Sequence, residues 1–330
     1  MSDGRDTLAP PALPPRNPCG HKGSFGTVAI VGGCASGGSR MAGAPALAAL
    51  GALRSGAGLA RLICPEPVLA AALITAPSAT GLVLPTDGTG AIIAHQAAAL
   101  LDSVLGRCDA LAIGPGLGSD PEGRRGVQAV VLRALQQDEK PVVVDADALN
   151  ALARVPELTR DFRAPAVLTP HPGEFRRLAE PLRIAHDPTD APQRPGAAEA
   201  LAQRLGCVVV LKGAGTVVTD GYRTWVCPRG HACLGTAGTG DVLTGVIAGL
   251  AAQFVRRVDP AVAALPEPVR RALGAGEPGL DLFDAARAGV LAHAIAGELW
   301  AERHGASAGL LAPELAELIP EAVESLRAGA

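Results

Sequence analysis

Short apolar runs bounded by glycine recur along the chain, and most lead into a longer stretch rich in Ala and Leu. "TVAIVGG" (Thr27 to Gly33) predicts a buried strand, and "MAGAPALAALGALRSGAG" behind it predicts an Ala-rich helix ending in glycines. "LARLIC" is the next strand, and "ALAIGPGLG" is a strand running into a glycine turn. "PVVVDADALNAL" predicts a strand that ends in carboxylates and then a helix, and "AVLTPHPGEFRRLAE" repeats that plan. "CVVVLKGAGTVVTDGYRTWVC" predicts a strand and then a hairpin turning at Asp220-Gly221. Helical stretches over Leu282 to Arg303 and Ala312 to Leu326 close the sequence. Short apolar strands separated by helices predict an α/β chain with a mostly parallel sheet covered on both faces. In such sheets ligands bind beyond the carboxyl ends of the strands. Gly114 to Gly118, Asp145, Asp147, His171 to Glu174 and Lys212 to Thr216 all fall at that edge.

Of the 330 residues, 48% are apolar, enough for a large core and against overall disorder. Aromatics make up only 2%, so Ala, Val and Leu must do the packing. A net charge of −3 argues against a nucleic-acid partner, which would show a basic field. The seven cysteines include no C-x-x-C and read as free thiols of a reducing, cytoplasmic compartment. Cys227, His231 and Cys233 fall short of the four ligands of a closed zinc site. The longest apolar run, Val242 to Val255, is too short for a membrane span, which takes about 20 residues. Residues 1–20 are proline-rich, lack the apolar core of a signal peptide, and are expected to form an extended, mobile arm. Residues 21–330 are expected to fold as a single domain, with the Pro- and Gly-rich stretch 256–281 as a surface insertion.

Several motifs carry chemistry. "GGCASGGSR" (Gly32 to Arg40) has glycines spaced as in a Walker A loop but lacks its lysine, so it is not a P-loop. It is either a flexible strand-to-helix loop or a place where backbone approaches a ligand, and "IGPGLG" (Ile113 to Gly118) admits the same two readings. Asp147 reads most simply as a helix cap, although carboxylates on this ledge can also hold Mg²⁺ through water. In "LTPHPGEF" two prolines stiffen a turn that presents His171, and Glu174 opens a helix; a rigid turn at the ligand edge favours a functional histidine. Lys212 is placed to balance phosphate charge as a compact cation. "GTAGTGD" is the most specific motif. Around Gly238, Thr239 and Gly240, backbone N–H groups can converge on an anion at the positive end of the following helix. Asp241 beside them either caps that helix or accepts a proton from a hydroxyl that attacks phosphorus. The helix end is expected to lower its pKa and keep it ionised.

"HKGSFG" (His21 to Gly26), "IGPGLG", "LTPHPGEF", "VLKGAGT", "GTAGTGDVLTG" and "LLAPELAELIP" occur here in an order that resembles the ADP/ATP-dependent NAD(P)H-hydrate dehydratases of the ribokinase-like superfamily. The resemblance covers about Asn17 to Leu326. It implies a ribokinase-like three-layer α/β/α sandwich. It also implies repair of NADHX and NADPHX, the hydrated forms of NADH and NADPH, through phosphorylation by ADP or ATP with Mg²⁺ and loss of phosphate. Asp241 would be the base at the hydrated nicotinamide. Gly240 and the segment Lys212, Gly213, Ala214, Gly215, Thr216 would contact the adenine nucleotide. Ala44, Gly116 or Gly118, and His171 would line the hydrated-dinucleotide side, and Glu174 could reach the metal through water. His231 stands where relatives commonly have asparagine. Only 26 residues precede Thr27, so a stand-alone dehydratase is expected, working beside a separate epimerase and assembling as a homo-oligomer, a tetramer among the options. The alternative on the same scaffold is a kinase of a small alcohol, such as a thiazole or pyrimidine vitamin precursor.

Overall fold

The computed structural model describes residues 8–118, 124–160, 162–255, 265, 266, 269 and 279–328. Among them lie strands β1 Thr27–Val31, β2 Leu59–Cys64, β3 Thr80–Val83, β4 Ala110–Ile113, β5 Val142–Val144, β6 Ala166–Leu168, β7 Val208–Leu211, β8 Val217–Thr219 and β9 Thr224–Val226. They form one sheet in the order β3-β2-β1-β4-β5-β6-β7-β8-β9. β1 to β7 pair in parallel, and β8 and β9 add the expected antiparallel hairpin. The chain runs outward from β1 to β3 and returns to β4 on the other side of β1. That reversal opens a crevice at the carboxyl ends of β1 and β4, where open α/β sheets take their ligands.

The helices are α1 Gly43–Arg54, α2 Glu66–Thr75, α3 Ala94–Leu105, α4 Arg124–Leu135, α5 Asp147–Leu152, α6 Pro172–Leu182, α7 Arg194–Leu205, α8 Thr239–Phe254, α9 Leu282–His304 and α10 Ala312–Ala328. Successive strand residues point to opposite faces. Val28, Ile30, Leu62, Val143 and Val210 enter one core with α1, α2, α8, α9 and α10. Ala29, Val31, Ile63, Val142, Val144 and Val209 enter the other with α3 to α7. With both faces covered, the central strands need no polar side, which accounts for their unbroken apolar runs. β3 is the exception: it is an edge strand, three of its four residues are exposed, and its short "TGLV" gives no such run. No described helix is long and apolar enough to cross a membrane.

α1 and α8 cross with their backbones in contact. A Cβ on Gly245 would stand 1.9 Å from Ala48 O, and one on Gly51 would stand 2.3 Å from Val242 O. Each helical glycine costs about 1 kcal/mol of helix propensity, so the close approach must return more than that in packing. The crossing matters to the site, because α1 carries Ala44 and α8 carries Asp241.

The expected mobile arm is anchored over the part described. Leu13 is buried and its N–H donates to Leu326 O at 3.1 Å, while Arg16 donates to Gly56 O at 2.8 Å and lies over the Phe25 ring. Apolar side chains within the proline-rich stretch explain the anchoring: Leu8 and Leu13 pack on the same core as α10. Residues 1–7 lie outside the described residues, as does most of the insertion expected over 256–281.

Gly245→Val is expected to lower the unfolding free energy by about 1–3 kcal/mol or more, because the new side chain meets backbone that cannot swing away. Urea denaturation checks this, and a variant as stable as the parent would show that the two helices can part.

Candidate active site

β5, β6 and β7 are neighbouring parallel strands whose pairing sets Val144 beside Leu168 and Leu168 beside Val209. Their carboxyl ends therefore bring Asp145, Thr169 and Lys212 to one place. Asp145 is only 2% exposed. Its Oδ1 accepts from Lys212 Nζ at 2.7 Å and Thr169 Oγ1 at 2.8 Å, and its Oδ2 accepts from Thr244 Oγ1 of α8 at 2.7 Å. Burial pushes the Asp145 carboxyl up, but the Lys212 ammonium and the two hydroxyls outweigh it and hold it below the usual carboxylate range. Burial likewise pulls Lys212 down, and Asp145 followed by Glu174 raises it above an ordinary lysine. Glu174 Oε2 stands 3.9 Å from Lys212 Nζ. The lysine is thus a fixed cation already answered by carboxylates, rather than a free charge at a strand end.

Gly238 precedes α8 with φ +90°, a left-handed conformation that favours glycine. Val242 N–H donates to Gly238 O, so the N–H groups of Thr239, Gly240 and Asp241 come before the first helical bond and lack intrahelical acceptors. Free N–H groups at a helix start are a place where an anion can be held. Thr239 offers it a backbone N–H, because its hydroxyl donates to Leu234 O and Thr236 O, both at 2.9 Å.

Asp241 lies in the first turn of α8, and no side chain caps that helix. Its carboxyl is pushed up to about 7, against the lowering expected from the helix end. Burial is the main cause, the Asp145 carboxylate adds to it, and Lys212 opposes both. A helix end supplies at most about 2 kcal/mol, or roughly 1.5 pK units, which desolvation and like charge exceed here.

His171 caps α6. Its Nδ1 accepts from Gly173 N–H at 3.0 Å, while Glu174 Oε2 accepts from His171 N–H at 2.9 Å, a reciprocal capping box. The ring proton therefore sits on Nε2, 3.4 Å from Glu174 Oε1. Burial and then Lys212 hold His171 below the ordinary histidine range, so the ring is neutral at pH 7 and its contact with Glu174 is not an ion pair. Burial raises the Glu174 carboxyl, with Asp145 adding to the effect and Lys212 opposing it.

Across the crevice, the loop after β4 meets the start of α1. A Cβ on Gly116 would stand 3.2 Å from Ala44 Cβ, and one on Gly118 would stand 3.1 Å from Cys34 Cβ. Asp147 does not cap α5. Ala146 occupies the N-cap position and no side chain bonds there. Asp147 Oδ2 instead accepts from Gly118 N–H at 2.9 Å, fixing the "IGPGLG" loop. The sequence shows a carboxylate at a helix start but not the distant loop that has prior claim on it.

A cavity of about 630 Å³ is lined by Lys212 to Thr216, Thr239, Gly240, and side chains of α8 and α9. That size suits a small-molecule site. Leu234, Leu243, Val290 and Ala294 give it apolar walls, and His231 and His293 add polar atoms. Arg194 of α7 holds the 212–216 loop from behind, donating to Leu211 O at 3.0 Å, Lys212 O at 3.3 Å and Gly215 O at 3.4 Å. Ala44, Gly116, Gly118 and His171 lie outside this cavity's lining. Thr169, Thr244, Arg194 and His293 escape the sequence reading. Of these only Thr244 carried a signal, since it follows Asp241 by three residues and shares its helix face. Among the described residues, no group of three or more His, Cys, Asp or Glu side chains is arranged to hold a metal ion.

A mostly parallel α/β/α sandwich with a helix start of free N–H groups at the carboxyl edge of its sheet is the fold that solved ribokinase-like structures share. Within that class the chain belongs to the NAD(P)H-hydrate dehydratase family, whose profile (Carb_kinase) matches residues 28–321. It is 42% identical over 257 residues to the bifunctional NAD(P)H-hydrate repair enzyme of Salinibacter ruber, covering 76% of this chain and 44% of that protein. It is 36% identical over 321 residues to the ADP-dependent (S)-NAD(P)H-hydrate dehydratase of Xanthomonas campestris, covering 96% of this chain and 95% of that one. The ADP/ATP-dependent NAD(P)H-hydrate dehydratase of Bacillus subtilis, co-crystallised with ATP and Mg²⁺, superposes with a TM-score of 0.70 at 30% identity, covering 96% of this chain and 95% of that one. The chain spans about half the length of the bifunctional relatives it matches.

Asp145→Ala is expected to destabilise the fold by about 3–5 kcal/mol, because it strands the buried Lys212 charge and two hydroxyls. Asp145→Asn, which can still accept from one threonine, should cost less. Urea titration of both variants tests this ranking, and an unaffected Asp145→Ala protein would show that the cluster is dispensable.

Proposed function

We propose that the chain removes water from the S form of NADHX or NADPHX in a reaction driven by ADP or ATP. The observation that carries this reading is Asp241: a half-buried carboxyl raised to about 7, in the first turn of a helix whose free N–H groups open beside the 630 Å³ cavity. The adenine nucleotide occupies that cavity, against Lys212 to Thr216 and Gly240. The hydrated ring lies toward Ala44, Gly116, Gly118 and His171. Asp241 takes the proton of the ring hydroxyl as its oxygen attacks the terminal phosphorus. Lys212 and the α8 N–H groups steady the charge on the phosphoryl oxygens. The C–O bond of the phosphate ester then breaks, the neighbouring carbon loses a proton, and NAD(P)H, inorganic phosphate and AMP or ADP leave.

Mg²⁺ suits this site through its carboxylates: burial and like charge raise both Glu174 and Asp241 above the usual carboxylate range, a strain that a nearby dication would relieve. The phosphates would hold the ion, Glu174 would reach it through water, and its chemistry would be charge neutralisation. The described cysteines are all free, in keeping with a reducing, cytoplasmic setting. In this reading the partners are a separate epimerase acting on the same substrate pool and further copies of the chain in a homo-oligomer.

Purified protein, hydrated NADH and Mg²⁺ should regain the absorbance of reduced nicotinamide on adding ADP or ATP, and not without a nucleotide. A stable phosphorylated product in place of NADH would mark a small-alcohol kinase instead. Full turnover in excess chelator would remove the metal from the scheme.

Asp241→Asn keeps the shape but removes the base, so turnover should fall by about 10²–10⁴-fold with folding and nucleotide binding retained. The pH profile follows from the raised carboxyl. Below about 7 Asp241 is largely protonated in the free enzyme and cannot accept a proton. kcat/KM should therefore rise with pH and level off above about 7, and Asp241→Asn should abolish that limb. A flat profile from pH 5 to 8 would reject Asp241 as the base.

A further inference from the structure

The cavity that takes the nucleotide in the proposed function carries two histidines whose hydrogen-bonding polarity the protein fixes in opposite senses. His293 of α9 places Nε2 at 2.9 Å from Thr239 O. A carbonyl oxygen only accepts, so Nε2 must carry the hydrogen. Burial, reinforced by Lys212, holds His293 far below the ordinary histidine range, at about 4, so the ring carries no second proton at neutral pH. Its Nδ1 is therefore a bare acceptor. Among the described residues nothing bonds that atom, and the half-buried ring lines the cavity. His231, at the start of the 3₁₀ turn Ala232–Leu234, does the reverse. Its Nδ1 accepts from Cys233 N–H at 3.3 Å, which leaves the hydrogen on Nε2 as a donor. Around the pair, Leu234, Leu243, Val290 and Ala294 form the apolar walls that a flat ring would need.

An aromatic base is read by the order of donors and acceptors on its edge. Adenine sets an exocyclic amino donor beside ring-nitrogen acceptors. Guanine and hypoxanthine put an oxygen acceptor where adenine has that amino group. A fixed acceptor on the protein matches the first pattern and opposes the others, because an oxygen facing a lone pair leaves both unsatisfied in a partly desolvated slot.

We propose that His293 is a specificity-determining residue that reads the exocyclic amino group of the purine through Nδ1, with His231 donating to a ring nitrogen beside it, so that the enzyme selects adenine nucleotides. The hydrogen bond to Thr239 has a second consequence. It ties base recognition to the first turn of α8, two residues before Asp241.

The test pairs a ligand change with a protein change, as in a double-mutant cycle. Binding of ADP and of purine riboside 5′-diphosphate, which lacks the amino group, is measured by calorimetry on the parent and on His293→Leu and His293→Gln. The parent should bind ADP about three- to tenfold tighter than the analogue, the range of one hydrogen bond. His293→Leu should bring that ratio close to one whatever its absolute affinity, and His293→Gln, which restores an acceptor, should recover part of it. IDP should bind the parent more weakly than the analogue does, since it adds an opposing acceptor. An unchanged ratio in His293→Leu would overturn the inference. Photolabelling with 8-azido-ADP separates this failure from failure of the nucleotide placement. Label on peptides spanning 213–235 or 290–294 with an unchanged ratio rejects only the role of His293, and label elsewhere rejects the placement together with it.

Discussion

A carboxylate sealed from water persists as an anion only if its partners cannot leave, and the partners of Asp145 cannot. Lys212 and Thr169 are fixed by neighbouring parallel strands, and Thr244 is fixed by α8. Three strands and a helix thus meet on two oxygen atoms. The register of β5, β6 and β7 is set by apolar packing on both faces of the sheet, and the cluster passes that register on to polar atoms. Thr244 is the link that reaches α8. One turn before it stands Asp241, so the carboxyl proposed as the base inherits its position from the buried ion pair of Asp145 and Lys212.

The same cluster sets the electrostatics. Asp145, Asp147, Glu174 and Asp241 all act on a neighbourhood that contains one lysine. Asp145 takes the largest share of that cation and stays ionised. Glu174 and Asp241 receive what remains, and burial pushes both up. In the proposed reaction this imbalance has a use. A carboxyl near neutrality can accept a proton and later release it, whereas one held well below the usual range would be too weak a base.

How legible all this was in the sequence depended on how local each determinant is. The buried strands, the hairpin at Asp220-Gly221 and the closing helices follow from runs of a few residues. So did the collection of Asp145, Glu174 and Lys212 at one edge, because parallel strands always present their carboxyl ends together. β3 was invisible because an exposed edge strand has no apolar run to mark it. Asp147 looked like a cap because a cap is a local motif, whereas its real partner, Gly118 N–H, is brought near only by the sheet. The raised Asp241 carboxyl is hidden from the sequence for the same reason: the helix dipole can be read from the next few residues, but burial and the Asp145 charge cannot. Arg194 and His293 gave no signal, since each acts through backbone carbonyls that carry no sequence identity.

α8 shows why long-range anchoring is needed here. A helix start left open for the proposed anion requires small residues around the first turn, and contact with α1 requires small residues further along. The helix therefore holds Gly240, Gly245 and Gly249, each unfavourable to helix formation by about 1 kcal/mol relative to alanine. Such a segment has little tendency to stay helical alone. Its order comes from outside: Ala48 O against Gly245, Thr244 on Asp145, and His293 on Thr239 O. These three contacts come from α1, the sheet and α9, the elements that carry or border the two proposed ligand sides. A ligand seated against any of them presses on an element that holds α8 in place. The Gly-rich composition that would admit the phosphate in the proposed reaction thus also makes the helix mouth depend on its surroundings, and through them the two proposed halves of the site share one geometry.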